Sequence, residues 1–352
     1  MTHNENMTCY CQGLCGTISK IVGGIPMTEK SIKYFNNVIM PFIRERHSDI
    51  LPEASIMILG SVGMGIDDEF SDVEAVIYLP DELWKQNGML QINLDKCVLE
   101  TNLWQQGGSI ICVHPLSWLL DGQGGKILAG GDIRWGKLKF DSLSGLFVLH
   151  NQPVWHDPQD RFGKLRKMTA PEKMPEILWK KALLDKLNNF IGDGFQEVQR
   201  CIDRNHYLDA YIPFGEAVKA LLEIGFMVCR QYYPYRKHLS WAFCRLPSPM
   251  TDIMPHFNLL STTINWQERL SIMKTIYFFY KDYIVSNSLL PEFNFFRDDL
   301  FDMPLHDNEF RNAGNIIDNP NWRVEQSVIM EKTLKAGLEP EAARWVSWWK
   351  MV

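Results

Sequence analysis

Residues 58–79 read ILGSVGMGIDDEFSDVEAVIYL, and the parsing of this stretch decides the fold of the chain. The apolar run of Ile56, Met57, Ile58 and Leu59 stops at Gly60-Ser61, as a strand does when it meets a turn. A polar loop with Gly63, Gly65, Asp67, Asp68 and Glu69 is expected next. From Asp72 the chain resumes as Val73, Glu74, Ala75, Val76, Ile77, Tyr78 and Leu79 before Pro80, a composition that suits a second strand. Strand side chains alternate faces, so Asp72 and Glu74 point the same way at one end of it. Two carboxylates held together repel unless a cation lies between them, and oxygen ligands of this kind suit Mg²⁺ completed by substrate phosphates.

These residues carry a resemblance. Leu59-Gly60-Ser61, ten residues, then Asp72-Val73-Glu74-Ala75 looks like the signature of the DNA polymerase β-like nucleotidyltransferase superfamily. More narrowly, GSVGMGIDDEFSD, with YYPYRKHLSWAFCRLP at 232–247, resembles a bacterial nucleotidyltransferase-like family that carries a domain-of-unknown-function label. The resemblance runs from about Lys30 to Pro247 and implies an α/β (α+β) fold. A small mixed-sheet nucleotidyltransferase domain is followed by an all-helical bundle domain. Superfamily members often place a third acidic ligand at the end of a following strand. Here SIICVHP at 109–115 ends with His114 instead, and Glu100 and Asp141 are the nearest acids.

Composition fits a multidomain globular protein: 46% of the 352 residues are hydrophobic and 22% charged, with a net charge of −6. A chain that holds bulk nucleic acid through its phosphates carries a basic stripe, and no such run is present. The sequence also lacks an apolar run of the roughly 18 residues a membrane span needs, and no secretory leader opens it. A cytoplasmic protein with reduced thiols is therefore expected. Cys9, Cys11 and Cys15 are spaced as three metal ligands, but a fourth is not evident, and a mobile extension is the simpler reading.

In chain order, 1–26 is read as an extension, 27–168 as the nucleotidyltransferase-like domain and 169–352 as the helical domain. Thr28 offers a helix cap, and Ile32, Phe35, Ile39 and Phe42 recur at helical spacing with Pro41 near the end. Helices are expected at 81–84 and 90–104, and small strands or turns at 147–150 and 154–158. Beyond Pro171 the period is helical throughout. A stripe of Ile177, Leu178, Leu184, Leu187 and Ile191 is expected to end at Gly192 and Gly194. Phe214, Val218, Leu221, Leu222, Gly225 and Val228 form the next. Asn265 with Glu268 has the form of a capping box ahead of Leu270, Met273, Ile276, Tyr280 and Ile284. Pro320 and Pro340 mark two final helices, the last with Trp345, Trp348 and Trp349 on one face.

The chemistry this implies is transfer of a nucleoside monophosphate from an NTP to a hydroxyl, with release of pyrophosphate. Asp72 and Glu74 would hold Mg²⁺, Gly60 would admit the phosphates closely, and Ser61 would donate to them. The segment from Tyr232 to Trp241 sets Arg236, Lys237 and His238 among aromatic rings, a composition fit to meet a base and a phosphate. Glu216 is a candidate general base, with His238 as competitor. By superfamily habit the donor is ATP. The acceptor, a small molecule or a protein side chain, is left open, as are base preference and oligomeric state. The rival reading is a degenerate nucleotide-binding or partner-binding protein on the same fold.

Overall fold

The computed structural model describes residues 33–67, 71–100, 109–118, 128–129, 132–133, 135 and 143–290. The expectations placed on Thr28, Cys9, Cys11, Cys15, Asp68, Glu69, Asp141 and the tryptophans at 345–349 lie outside the described residues. The chain divides into two compact units, Met1–Lys173 and Met174–Val352.

The first unit opens with a π-helical segment, Phe35–Ile39, that runs into helix α1 (Met40–Arg46). Pro41 sits in the first turn of α1, where its missing N–H is tolerated. Phe35, Ile39 and Ile43 are fully buried, while Phe42 is only half-buried. Then come β1 (Ser55–Leu59), the short helix α2 (Gly60–Met64), β2 (Val73–Leu79), α3 (Asp81–Gln86), α4 (Leu90–Glu100) and β3 (Ser109–Pro115). Two two-residue strands, β4 (Leu128–Ala129) and β5 (Asp132–Ile133), pair with each other. Helix α5 (Leu143–Asn151), β6 (Val154–His156) and α6 (Arg161–Met168) complete the unit.

The sheet is mixed, with order β3-β2-β1-β6. Strand β1 runs antiparallel to both β2 and β6, and β2 runs parallel to β3. One face packs Ile56, Ile58, Val73, Ala75, Ile77, Ile111 and Val113 against Phe35, Ile39, Leu90, Leu94 and Val98. The edge strand β3 is blunted by α4: Val113 N donates to Gln91 Oε1 and Gln91 Nε2 donates to the Ile111 carbonyl, both at 2.7 Å. An amide side chain thus imitates a neighbouring strand and masks an otherwise sticky edge. Asp157, just past β6, accepts from Ser55 Oγ on β1 and from Phe162 N on α6, each at 2.8 Å.

Two sequence expectations change here. Residues 147–150 are not a strand but the second half of α5, which buries Leu143, Leu146, Phe147 and Leu149. In an apolar run that short, period alone does not separate the two states, and only Val154–His156 pairs as a strand. The stretch after Ser61 is not all loop, because Gly60–Met64 forms one helical turn.

The second unit is helical: α7 (Glu176–Asn188), a π-helical segment Asn189–Gln196, α8 (Glu197–Asp203), α9 (Tyr211–Val228), α10 (Leu239–Phe243), α11 (Met254–Thr262) and α12 (Trp266–Ser286). Gly192 and Gly194 do not end the α7 stripe, since the helix passes through them in π form. A Cβ at Gly194 would stand 2.8 Å from that of Ala217, so this glycine serves close approach to α9 rather than termination. Asn265 caps α12, its Oδ1 accepting from Gln267 N at 2.9 Å and Glu268 N at 3.1 Å. Leu270, Met273, Ile276, Tyr280 and Ile284 are all buried, as their spacing requires. Among the described residues no helix is long and apolar enough to cross a membrane.

Candidate functional site

Leu59 and Glu74 are direct partners in the β1–β2 register. That pairing sets the Glu74 carboxylate against the Cα of Gly60, so closely that a Cβ there would collide with Glu74 Oε2. Gly60 also has φ +65°, a conformation that side chains rarely adopt. The backbone conformation therefore favours glycine at the first residue after β1, and a larger residue would also push the Glu74 carboxylate aside. Helix α2 closes with Ile66 N donating to the Ser61 carbonyl at 3.0 Å and Gly65 N to that of Val62 at 3.1 Å. Gly65 is left-handed at φ +67°, which completes a Schellman end. Turned for hydrogen bonding, the buried Gln152 amide donates to the carbonyls of Ile58 at 3.2 Å and Gly63 at 3.3 Å. Arg166 holds that corner in turn, Nη2 donating to the Gln152 carbonyl and Nε to that of Leu149, both at 2.6 Å. The turn is clamped from beneath.

Asp72 lies just before β2, half-buried, with no hydrogen bond or ion pair among the described residues. Ser61 is half-buried, and its hydroxyl likewise has no partner among them. Asp72, Glu74, Gly60 and Ser61 thus belong to one β1–turn–β2 hairpin, as the spacing predicts. On β3 the residue paired with Glu74 is Ile110, and Val76 pairs with Cys112. The Cys112 thiol is pushed up by burial, then by the carboxylates of Asp95 and Glu74. Asp95, an exposed residue of α4 that accepts from Gln91 Nε2 at 2.8 Å, is the acid that sequence reading passed over. Its only signal there was its place one helical turn after Gln91. His114 stacks on Trp118, centroids 4.0 Å apart, and burial lowers its pKa.

An Mg²⁺ ion bound through one or two carboxylates, with waters and phosphate oxygens filling its octahedron, fits a pair such as Asp72 and Glu74. A protein-only cage does not: among the described residues no three His, Cys, Asp or Glu side chains converge to hold a metal.

The other sequence candidates belong to the second unit. Tyr232 and Tyr233 do not present their rings to a ligand but are core residues. Tyr232 stacks on Trp179 at 5.7 Å, and Tyr233 roofs Lys186, whose Nζ is 5.4 Å from the ring centroid. Tyr235, Arg236 and Lys237 are exposed on a single 3₁₀ turn, Arg236–His238. Arg236 leans over the Tyr235 ring at 5.6 Å. Lys237 takes no hydrogen bond, ion pair or ring contact among the described residues. His238 is pushed down to about 4 by burial and then by Lys237, so it is neutral at pH 7. Glu216 is exposed on α9 with Lys219 Nζ at 3.8 Å. Sequence reading missed Glu223 two turns after Glu216. It is 3% exposed and paired at 3.0 Å with Lys186, itself 4% exposed, with Lys219 at 3.3 Å on its other oxygen.

A family described as a domain of unknown function, DUF4037, matches residues 138–241. That span takes in the described Tyr232–Trp241 stretch but not Gly60, Asp72 or Glu74. No curated protein matches. Among solved structures, the chain is similar to a nucleotidyltransferase-like protein from Exiguobacterium sibiricum 255-15. Identity is 12%, with 85% of this chain and 92% of that one covered and a TM-score of 0.38.

Proposed function

We propose that the protein is a nucleotidyltransferase that moves a nucleoside monophosphate from an NTP, ATP by preference, to a hydroxyl of a small-molecule or protein acceptor. The single observation that carries this reading is the register pairing that sets the Glu74 carboxylate on the Gly60 turn. A carboxylate anchored on the glycine that opens a Gly-Ser turn brings metal ligand and phosphate contact to one place. Asp72 and Glu74 would hold Mg²⁺, which neutralises phosphate charge and polarises the attacked phosphorus. Ser61 donates its hydroxyl to a phosphate oxygen, and Gly60 leaves room for the Glu74 carboxylate beside it. Phosphoryl chemistry of this class needs positioning and charge neutralisation more than covalent help, so a short rigid hairpin suffices to begin it.

Ile110 beside Glu74, where a third acid would complete a two-metal site, favours a second reading: a protein of this fold that binds nucleotide without turning it over. Thermal-shift titration with each NTP, with and without Mg²⁺, tests the first reading. Stabilisation by NTP that requires Mg²⁺ and disappears in Asp72→Asn supports it. Metal-independent binding favours the second.

A further inference from the structure

The second unit also buries a guanidinium that has no counter-charge among the described residues. Arg269, one turn into α12, is 8% exposed. Its Nε donates to the Thr263 carbonyl at 2.7 Å. Its guanidinium carbon lies 4.5, 4.8 and 5.3 Å from the ring centroids of Trp266, Phe214 and Tyr211. Trp266 holds this cage together, 4.9 Å from Tyr211 and 5.7 Å from Phe214, both edge to face. Arg269 has no carboxylate partner among the described residues, and its buried Nη1 makes no hydrogen bond. Arginine stays charged at any physiological pH, and a buried charge with an unmade donor is unfavourable. Three aromatic faces offset only part of that.

Near the cage in sequence, large apolar side chains are exposed among Asp209, Asn265 and Glu268. Leu208 is 82% exposed, Ile212 74% and Ile264 85%, and Tyr211 itself is half open. They stand in the segment that enters α9 and beside the cap of α12. Tyr, Trp and Arg accompanied by exposed aliphatic side chains is the composition of an interface anchor.

We propose that this corner of the helical unit docks a segment of a partner protein in which an Asp or Glu side chain lies between apolar residues. The carboxylate seats on Arg269 Nη1 as the Tyr211 ring swings aside, and the apolar neighbours cover Leu208, Ile212 and Ile264. The unneutralised cation sets the sign of the occupant. A polyphosphate or an anionic membrane recruits several cations, whereas here one guanidinium stands between Asp209 and Glu268 in the flanking sequence. This surface uses none of the nucleotide-site residues, so it stands or falls independently of the nucleotidyltransferase reading.

The test is an NMR titration of the full chain with acetylated, amidated pentapeptides that carry Glu at the centre and Leu, Ile or Phe elsewhere. Each is paired with its Gln counterpart. The expected result is a shift of the Arg269 Nε–H signal and of the Tyr211, Ile212 and Ile264 amides, with Gln peptides bound about tenfold more weakly. Arg269→Met should erase the Glu preference without lowering the melting temperature, because it removes an unpaired buried charge. Ile212→Asp, on an exposed position that leaves the core intact, should abolish binding of both peptides. Equal affinity for Glu and Gln peptides overturns the charge assignment. No shift with any peptide, or binding that survives Ile212→Asp, overturns the surface.

Discussion

Gly60 is the residue on which the hairpin closes, and its requirement has two physical sources, a left-handed backbone and the Glu74 carboxylate at its Cα. Gly60→Ala should therefore destabilise the first unit by about 1–3 kcal/mol, read as a lower melting temperature. A Gly60→Ala protein that melts like wild type would mean Glu74 is not anchored there. Asp72→Asn should do the opposite, keeping the melting temperature while abolishing the Mg²⁺-dependent part of NTP binding, since it removes charge from a pair that repels when no cation is bound. His238 gives a pH test with a definite sign. Its folded pKa, about 4, lies below the ordinary histidine value, so the unfolded chain binds the proton more tightly. Stability is then unaffected above roughly pH 6.5 and falls as pH drops from there towards 4. A ring-proton titration should find a midpoint near 4 that rises in Lys237→Ala, because Lys237 adds to the depression. If Lys237 also meets the triphosphate, the same variant binds NTP more weakly, by roughly 1–3 kcal/mol, with unchanged thermal stability. Unchanged affinity removes Lys237 from the site. At this scale the sequence was legible at Gly60, where β1 ends, while Asp72, expected on the strand with Glu74, lies just before β2. It was not legible where burial decides, and Tyr233 and Tyr235 differ by nothing in the chain that tells which one is core.

Among the elements, α9 shows why the periodic reading stopped short. Its apolar stripe was visible, but the helix is buried on all sides over its second half, and Glu223 lies inside with Lys186. Burial opposes the ammonium of Lys186, yet Tyr233, Glu223 and Asp185 together outweigh it and hold the lysine protonated above its ordinary range. No local pattern announces such a pair, because its members come from two helices far apart in the chain. Glu223→Ala should be severe, about 3–5 kcal/mol, since it leaves the buried Lys186 ammonium only the more distant Asp185, at 3.8 Å. Replacing both partners, Lys186→Met with Glu223→Leu, should recover most of that loss, because the cost lies in the unpaired charge and not in the absence of the pair. Chemical denaturation of the single and double variants measures the difference. A double variant as unstable as the single would show that the pair's net attraction, and not stranding, sets the cost. The π-helical turn at Asn189–Gln196 teaches the same lesson: two glycines read as a stop, while the packing of Gly194 on Ala217 uses their small size to continue the helix.

For the whole molecule, the change of period near Pro171 was the clearest long-range signal, and the structure divides between Lys173 and Met174. Strands with β-branched runs and a mixed sheet lie before that point, and helices whose apolar faces meet one another lie after it. The missing third acid was legible in the sequence as His114 at the end of 109–115, and the β2–β3 register sets His114 beside Tyr78 and Ile110 beside Glu74. The division makes a prediction of its own. Each unit has its own buried core, so a chain cut within residues 168–173 should yield a helical fragment that stays soluble and melts cooperatively, as an independent core implies. The fragment carrying Asp72 and Glu74 should keep metal-dependent NTP binding if that pair carries it. Calorimetry on the fragments and an NTP titration of the first decide it: aggregation of both would show that neither core is closed, and loss of metal-dependent binding from a folded first fragment would remove Asp72 and Glu74 as its carriers.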